Sequence, residues 1–155
     1  MSGSLQNSSV NVLLVEDSDD DAFFFTRAAR KAGNLKVIRV RDGEQAKSYL
    51  QGSGAFANRS EYPLPHAVLS DLKMPLCTGT ELCVWVRQQS EFSHLPLVVV
   101  SSSNVHSDMV ASQAAGATAY LVKPSTLAGY EHLWSAFQRV CAKRGAFSVD
   151  QPVET

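Results

Sequence analysis

At 155 residues, 45% of them apolar and 19% charged, the chain fits one globular domain with a real core and leaves no room for a second. A formal net charge of −1 gives no electrostatic case for nucleic acid, whose binding domains carry a basic face. No apolar run reaches spanning length, the N-terminus lacks a basic and apolar signal region, and the three cysteines show neither metal nor disulfide spacing. A cytoplasmic protein that stays off the membrane is therefore expected.

Residues 1–9 read as a flexible leader, 10–144 as the folded domain and 145–155 as a flexible, frayed tail. The β-branched run Val10-Asn11-Val12-Leu13-Leu14-Val15 predicts a central strand that ends on Glu16-Asp17. Ser18 or Asp19 can cap the helix that follows, whose first turn is acidic and whose end is marked by Arg30, Lys31 and Gly33. Phe23, Phe24 and Phe25 cannot all face inward, because consecutive helical residues point about 100° apart. A second strand over 35–40 alternates enough to be an edge, and Asp42-Gly43 turns the chain into a helix over about 44–50.

The connector 51–65 is longer than most, which makes it either an ordered flap or a family insertion. A third strand over 66–70 runs into Asp71. Gly79 opens a helix to about Gln89, a fourth strand over 95–100 ends on Ser101, and a helix over 105–115 stops at Gly116. The fifth strand, 118–122, meets Lys123-Pro124. In the last helix Tyr130, Leu133, Trp134, Phe137, Val140 and Cys141 form one apolar stripe. Strands and helices alternate five times, which demands a parallel α/β sheet with helices on both faces.

Four strand ends thus carry polar residues to one rim: Glu16-Asp17, Asp71, Ser101 and Lys123. Crowded carboxylates need a cation, and an all-oxygen set with open positions suits Mg²⁺ or Mn²⁺. Lys123 offers a point charge for a phosphoryl oxygen and Ser101 a hydroxyl donor, while Asp71 can attack phosphorus to form an aspartyl phosphate. Each feature alone has a plainer reading, as a solvated helix start, a loop lysine or a cap. Their joint placement reverses those odds.

Glu16-Asp17, Asp71-Leu72-Lys73-Met74-Pro75 with Gly79 eight residues after Asp71, Ser101, and Tyr120-Leu121-Val122-Lys123-Pro124 together resemble the receiver domain of two-component response regulators. The resemblance implies a flavodoxin-like (βα)5 doubly wound five-stranded parallel sheet of order 2-1-3-4-5. It implies a stand-alone phosphorylation switch in which a histidine kinase or phosphotransfer protein phosphorylates Asp71. Glu16, Asp17, Asp71 and the Lys73 backbone carbonyl would hold the metal, and Lys123, in a cis peptide bond to Pro124, a phosphoryl oxygen. Ser101 and Tyr120 would be the switch pair, with Tyr120 turning inward on phosphorylation and changing the surface read by a downstream protein.

Such a phosphoacceptor is not an enzyme in the usual sense, although it assists its own phosphorylation and dephosphorylation. Phe24 lies beside the face where receivers dock a kinase, and the outer face of the last helix is where homodimerisation would occur. Glu16 and Ser101 replace an aspartate and a threonine frequent in receivers, and both keep the chemistry. The 51–65 segment resembles, more weakly, receivers that work with bacteriophytochrome-type kinases. Two alternatives come from other classes. A flavodoxin-like cofactor carrier needs a phosphate-cradling loop where this chain has Glu-Asp-Ser-Asp-Asp-Asp. An aspartate-nucleophile phosphohydrolase places its nucleophile after the first strand.

Overall fold

Aliphatic and β-branched runs become strands, and Ser, Asp and Thr side chains cap all but one of the helices that follow them. In the computed structural model, which describes residues 9–143 and 147–150, the strands are β1 (Val10–Val15), β2 (Leu35–Val40), β3 (Ala67–Asp71), β4 (Leu97–Ser101) and β5 (Ala119–Val122). They alternate with α1 (Asp19–Ala32), α2 (Gly43–Gln51), α3 (Gly79–Gln88), α4 (His106–Ala114) and α5 (Leu127–Ala142). Ser18 is the cap of α1, its hydroxyl accepting from the Asp21 amide at 3.2 Å. Thr78 and Glu81 close a capping box on α3.

β1 to β5 pair in parallel in the expected order 2-1-3-4-5. β3, β4 and β5 are buried at every position, as strands covered on both faces must be, while the edge strand β2 is mostly half-exposed. The pleat sends Val12 and Leu14 to one face, against Phe25, Ala28 and Ala29 of α1 and Leu133, Trp134 and Phe137 of α5. Leu13 and Val15 go to the other, with Ala46 and Tyr49 of α2 and Leu82 and Val86 of α3. The Trp134 indole N–H donates to the Phe25 carbonyl at 2.8 Å, so the largest buried ring leaves no polar atom unpaired.

Two features depart from the sequence expectation, and the connector takes one of its two expected forms. Ser148–Asp150, inside the segment read as a frayed tail, form a sixth strand, β6, parallel to β5, and Phe147 packs on the core beside it. The free edge of β5 supplies the backbone partners that local sequence does not advertise. The rest of the tail and leader, apart from Ser9, lie outside the described residues. The connector is an ordered flap: Arg59 donates to the Tyr49 and Leu50 carbonyls at 2.9 and 2.7 Å, and the Tyr49 hydroxyl donates to Pro63 O at 2.8 Å. The rings of Phe56 and Tyr62 pack 5.2 Å apart over Tyr49.

The second departure is the Lys123–Pro124 bond, which is trans like every described peptide bond, against the expected cis form. Trans is the lower-energy isomer of an X–Pro bond by about 0.5–1 kcal/mol, and Lys123 reaches its partners from it.

Candidate functional site

Strand register assembles the site. Val15 pairs with Ser70, which brings Glu16 beside Asp71, and Ser101 pairs with Val122, with the Lys123 amide donating to Ser101 O at 2.8 Å. All sit at the carboxyl ends of the strands, where open α/β sheets bind ligands. Glu16 is fully buried and Asp71 only 6% exposed, and carboxylate oxygens of Glu16, Asp17 and Asp71 lie within 4.8 Å of one another. Gly79 has a structural reason at this point. A Cβ there would collide with the Asp71 main-chain carbonyl, so only glycine lets α3 start against the strand end.

The Lys123 ammonium faces three carboxylates, 2.8 Å from Asp21 Oδ2, 2.9 Å from Glu16 Oε1 and 3.2 Å from Asp71 Oδ2. Burial works against its charge, but Asp21, Asp71 and Glu16 outweigh that and hold its pKa above the ordinary lysine value. Burial, then the Asp71 charge, pushes the Glu16 carboxyl up to about 7, with Lys123 and the Ser18 amide opposing. Glu16 Oε2 accepts from the Ser18 amide at 3.1 Å, whereas the buried Oε1 has the Lys123 ammonium nearby but no aligned hydrogen-bond donor. Three hard oxygen donors, one of them buried and short of a partner, suit Mg²⁺ or Mn²⁺.

The remaining expected residues are spread around this cluster. Lys73 is exposed on the loop directly after β3. Ser101 is buried, its hydroxyl accepting from the Ser103 amide at 3.1 Å. Tyr120 is fully buried, its hydroxyl donating to Ser103 O at 2.8 Å. Apolar packing and the Ser103 carbonyl hold the ring inside. Phe23 and Phe24 both reach the surface, and Phe24 stacks on Tyr130 at 5.6 Å. Cys77 packs under Gly43 as a buried core residue, and burial pushes its thiol pKa up.

Sequence reasoning missed two residues. Asp21 was read only as part of an acidic helix start, yet its side chain reaches Lys123. Arg39 donates to the Glu16 carbonyl at 2.8 Å and to Asp19 at 2.9 Å, bracing the acidic pair from β2. The acidic run gave no separate signal for Asp21, because the helix macrodipole alone favours carboxylates there.

A doubly wound sheet carrying carboxylates and a lysine at its switch-point rim defines the class of α/β signalling phosphoacceptors. The family model for the response regulator receiver domain matches residues 12–132, and the chain belongs to that family of two-component signalling proteins. Response regulator Rcp1 of Synechocystis sp. is 31% identical over 117 residues, 75% of this chain and 78% of that protein. The Mn²⁺-bound form of Rcp1 aligns with a TM-score of 0.67 at 28% identity, covering 86% of this chain and 90% of that one. Response regulator RPA3017, from red light signalling of R. palustris, aligns with a TM-score of 0.78 at 32% identity over 84% of this chain and 92% of that one. The phosphorylated cyanobacterial phytochrome response regulator RcpA gives 0.77 at 25% identity, with 90% and 98% covered. Among the described residues no helix is long and apolar enough to cross a membrane.

Proposed function

We propose that Asp71 is the phosphoacceptor of a cytoplasmic phosphorylation switch. The observation that carries this reading is the Asp71 carboxylate at the end of β3, 3.2 Å from Lys123 and clustered with Glu16 and Asp17. An Asp71 oxygen attacks the phosphorus of a phosphohistidine or an acyl phosphate, the new O–P bond forms as the donor's breaks, and the donor leaves with the electron pair. Glu16, Asp17, Asp71 and the Lys73 carbonyl are the residues that would hold Mg²⁺ or Mn²⁺. When bound, that ion offsets the carboxylate repulsion and the charge of the incoming group. Lys123 takes a phosphoryl oxygen as a point charge.

The phosphoryl group carries roughly −1.5 to −2 charges and three acceptor oxygens, in place of the single negative charge of the Asp71 carboxylate. Ser101, whose hydroxyl meets the Ser103 amide and the Tyr120 phenol, is the hydroxyl that turns toward them, and its movement alters the Ser103 loop that anchors Tyr120. The readable change then passes to the α4–β5–α5 surface and a downstream protein. Phe24, exposed and stacked on Tyr130, is the aromatic offered to a histidine kinase or phosphotransfer partner.

Incubation with acetyl phosphate and Mg²⁺, followed by intact-protein mass spectrometry, tests this. One added phosphoryl group, lost in acid-labile fashion and absent from Asp71→Asn, is the expected result. Acid-stable labelling of Asp71→Asn overturns the assignment, and rapid multiple turnover without accumulation favours a phosphohydrolase instead.

A further inference from the structure

α1 opens with three consecutive aspartates, and the helix macrodipole alone accounts for acidic residues there. Their side chains nevertheless do different things. Asp19 lies between two guanidinium groups, its Oδ1 2.9 Å from both Arg39 and Arg41. Asp20 is exposed. Asp21 makes the shortest of the Lys123 contacts, at 2.8 Å, although it stands outside the Glu16–Asp17–Asp71 cluster. The helix cap uses only the Asp21 backbone amide, so the side chain is not committed to starting α1.

An ammonium has three N–H donors; of the three carboxylates around this one, Asp21 and Asp71 accept hydrogen bonds from it, while Glu16 Oε1 lies 2.9 Å away without a donor aligned on it. Asp71 is the most distant of the three, so gripping a phosphoryl oxygen on Asp71 requires Lys123 to loosen another contact. Glu16 and Asp71 are also the carboxylates a divalent cation would use. Asp21 is the partner left to the lysine when that cation is present.

We propose that Asp21 is a positioning residue for Lys123: its carboxylate draws the ammonium away from Asp71, which leaves the metal carboxylates open and slows phosphorylation. This rests on the reading of Asp71 as phosphoacceptor. Removing the Asp21 charge while keeping its shape lets Lys123 move toward Asp71 and Glu16, with two effects of opposite sense. The ammonium competes with the metal for those carboxylates, and once metal is saturating it is already placed for the phosphoryl oxygen. Loss of the negative charge also removes a repulsion against the incoming group.

The test uses the full chain as wild type, Asp21→Asn, Asp21→Ser and Asp21→Glu. Calorimetric titration with Mg²⁺ gives the affinity, and acetyl phosphate at saturating Mg²⁺ gives the initial labelling rate. In that reaction the Asp71 oxygen bonds to phosphorus as the acyl O–P bond breaks and acetate departs. Asp21→Asn is expected to bind Mg²⁺ about threefold more weakly yet label about threefold faster, as suits a partly exposed charge pair. Asp21→Ser carries the same expectation should the amide disturb the helix, and Asp21→Glu returns both quantities toward wild type. A residue that only braced the fold would lower Tm and slow labelling. Neutral variants that label at or below the wild-type rate overturn the proposal and leave Asp71 in place, whereas wild type that takes up no phosphoryl group removes both readings.

Discussion

Arg59 and Lys123 each anchor a loop, and their surroundings differ in kind. Arg59 in the connector meets neutral carbonyls of Tyr49, Leu50 and Tyr62, and the donors and acceptors match. Lys123 after β5 is only 8% exposed and meets three carboxyl groups, with Asp17 clustered beside two of them, so one ammonium stands among four acidic side chains. The first arrangement is complete and holds a flap still. The second is short of positive charge, which a divalent cation would supply. Unbalanced buried charge separates the reactive end of the sheet from the structural one.

Lys123→Met should break the contrast most. It leaves Asp71 without the group that meets the phosphoryl oxygen, and labelling by acetyl phosphate at saturating Mg²⁺ is expected to fall about 100-fold, within the range for a lost charge-stabilising group. Near wild-type labelling would remove Lys123 from the chemistry. Gly79→Ala pushes a methyl group into the Asp71 carbonyl. A loss of about 1–3 kcal/mol in urea unfolding is expected, with slower labelling because the strand end must shift. Unchanged stability would show that α3 can retreat.

Arg59→Ala sharpens the other side. Losing the carbonyl contacts at the end of α2 should cost about 2 kcal/mol of stability while the labelling rate of the folded protein stays at wild type. A labelling defect would tie the flap to the site. The smallest effect is a pH dependence. With the Glu16 carboxyl held up to about 7 in the metal-free protein, its contribution to stability is full below the ordinary value of 4.5 and is lost as pH rises through about 7. Mg²⁺ and the proton compete for the same oxygens, so the Tm increment produced by Mg²⁺ should grow from pH 5.5 to about 7.5 and level above it. An increment independent of pH would take Glu16 out of the metal set.

Much of this was legible in the residues. The five strands follow from aliphatic runs, and the starts of the first two helices from Ser18 and Asp42, each of which caps its helix. Glu16, Asp17, Asp71 and Lys123 were legible as a group because strand ends of a parallel sheet converge whatever the loops between them do. Asp21 and Arg39 were not, since their partners lie 102 and 23 residues away and no local pattern encodes a side chain's reach across a rim. β6 escaped for a similar reason: Ser-Val-Asp has little strand character of its own, and the open edge of β5 is what recruits it.

The sequence by itself determined the alternation of elements, the two apolar faces and the identity of the groups delivered to the carboxyl rim, because period, caps and strand ends are local properties. Only the tertiary structure decided how those groups share one lysine, that Tyr120 lies inside, that the bond to Pro124 is trans and that the connector is built on Arg59. Those outcomes depend on distances between segments remote in the chain, and such distances arise only when packing has fixed every element at once.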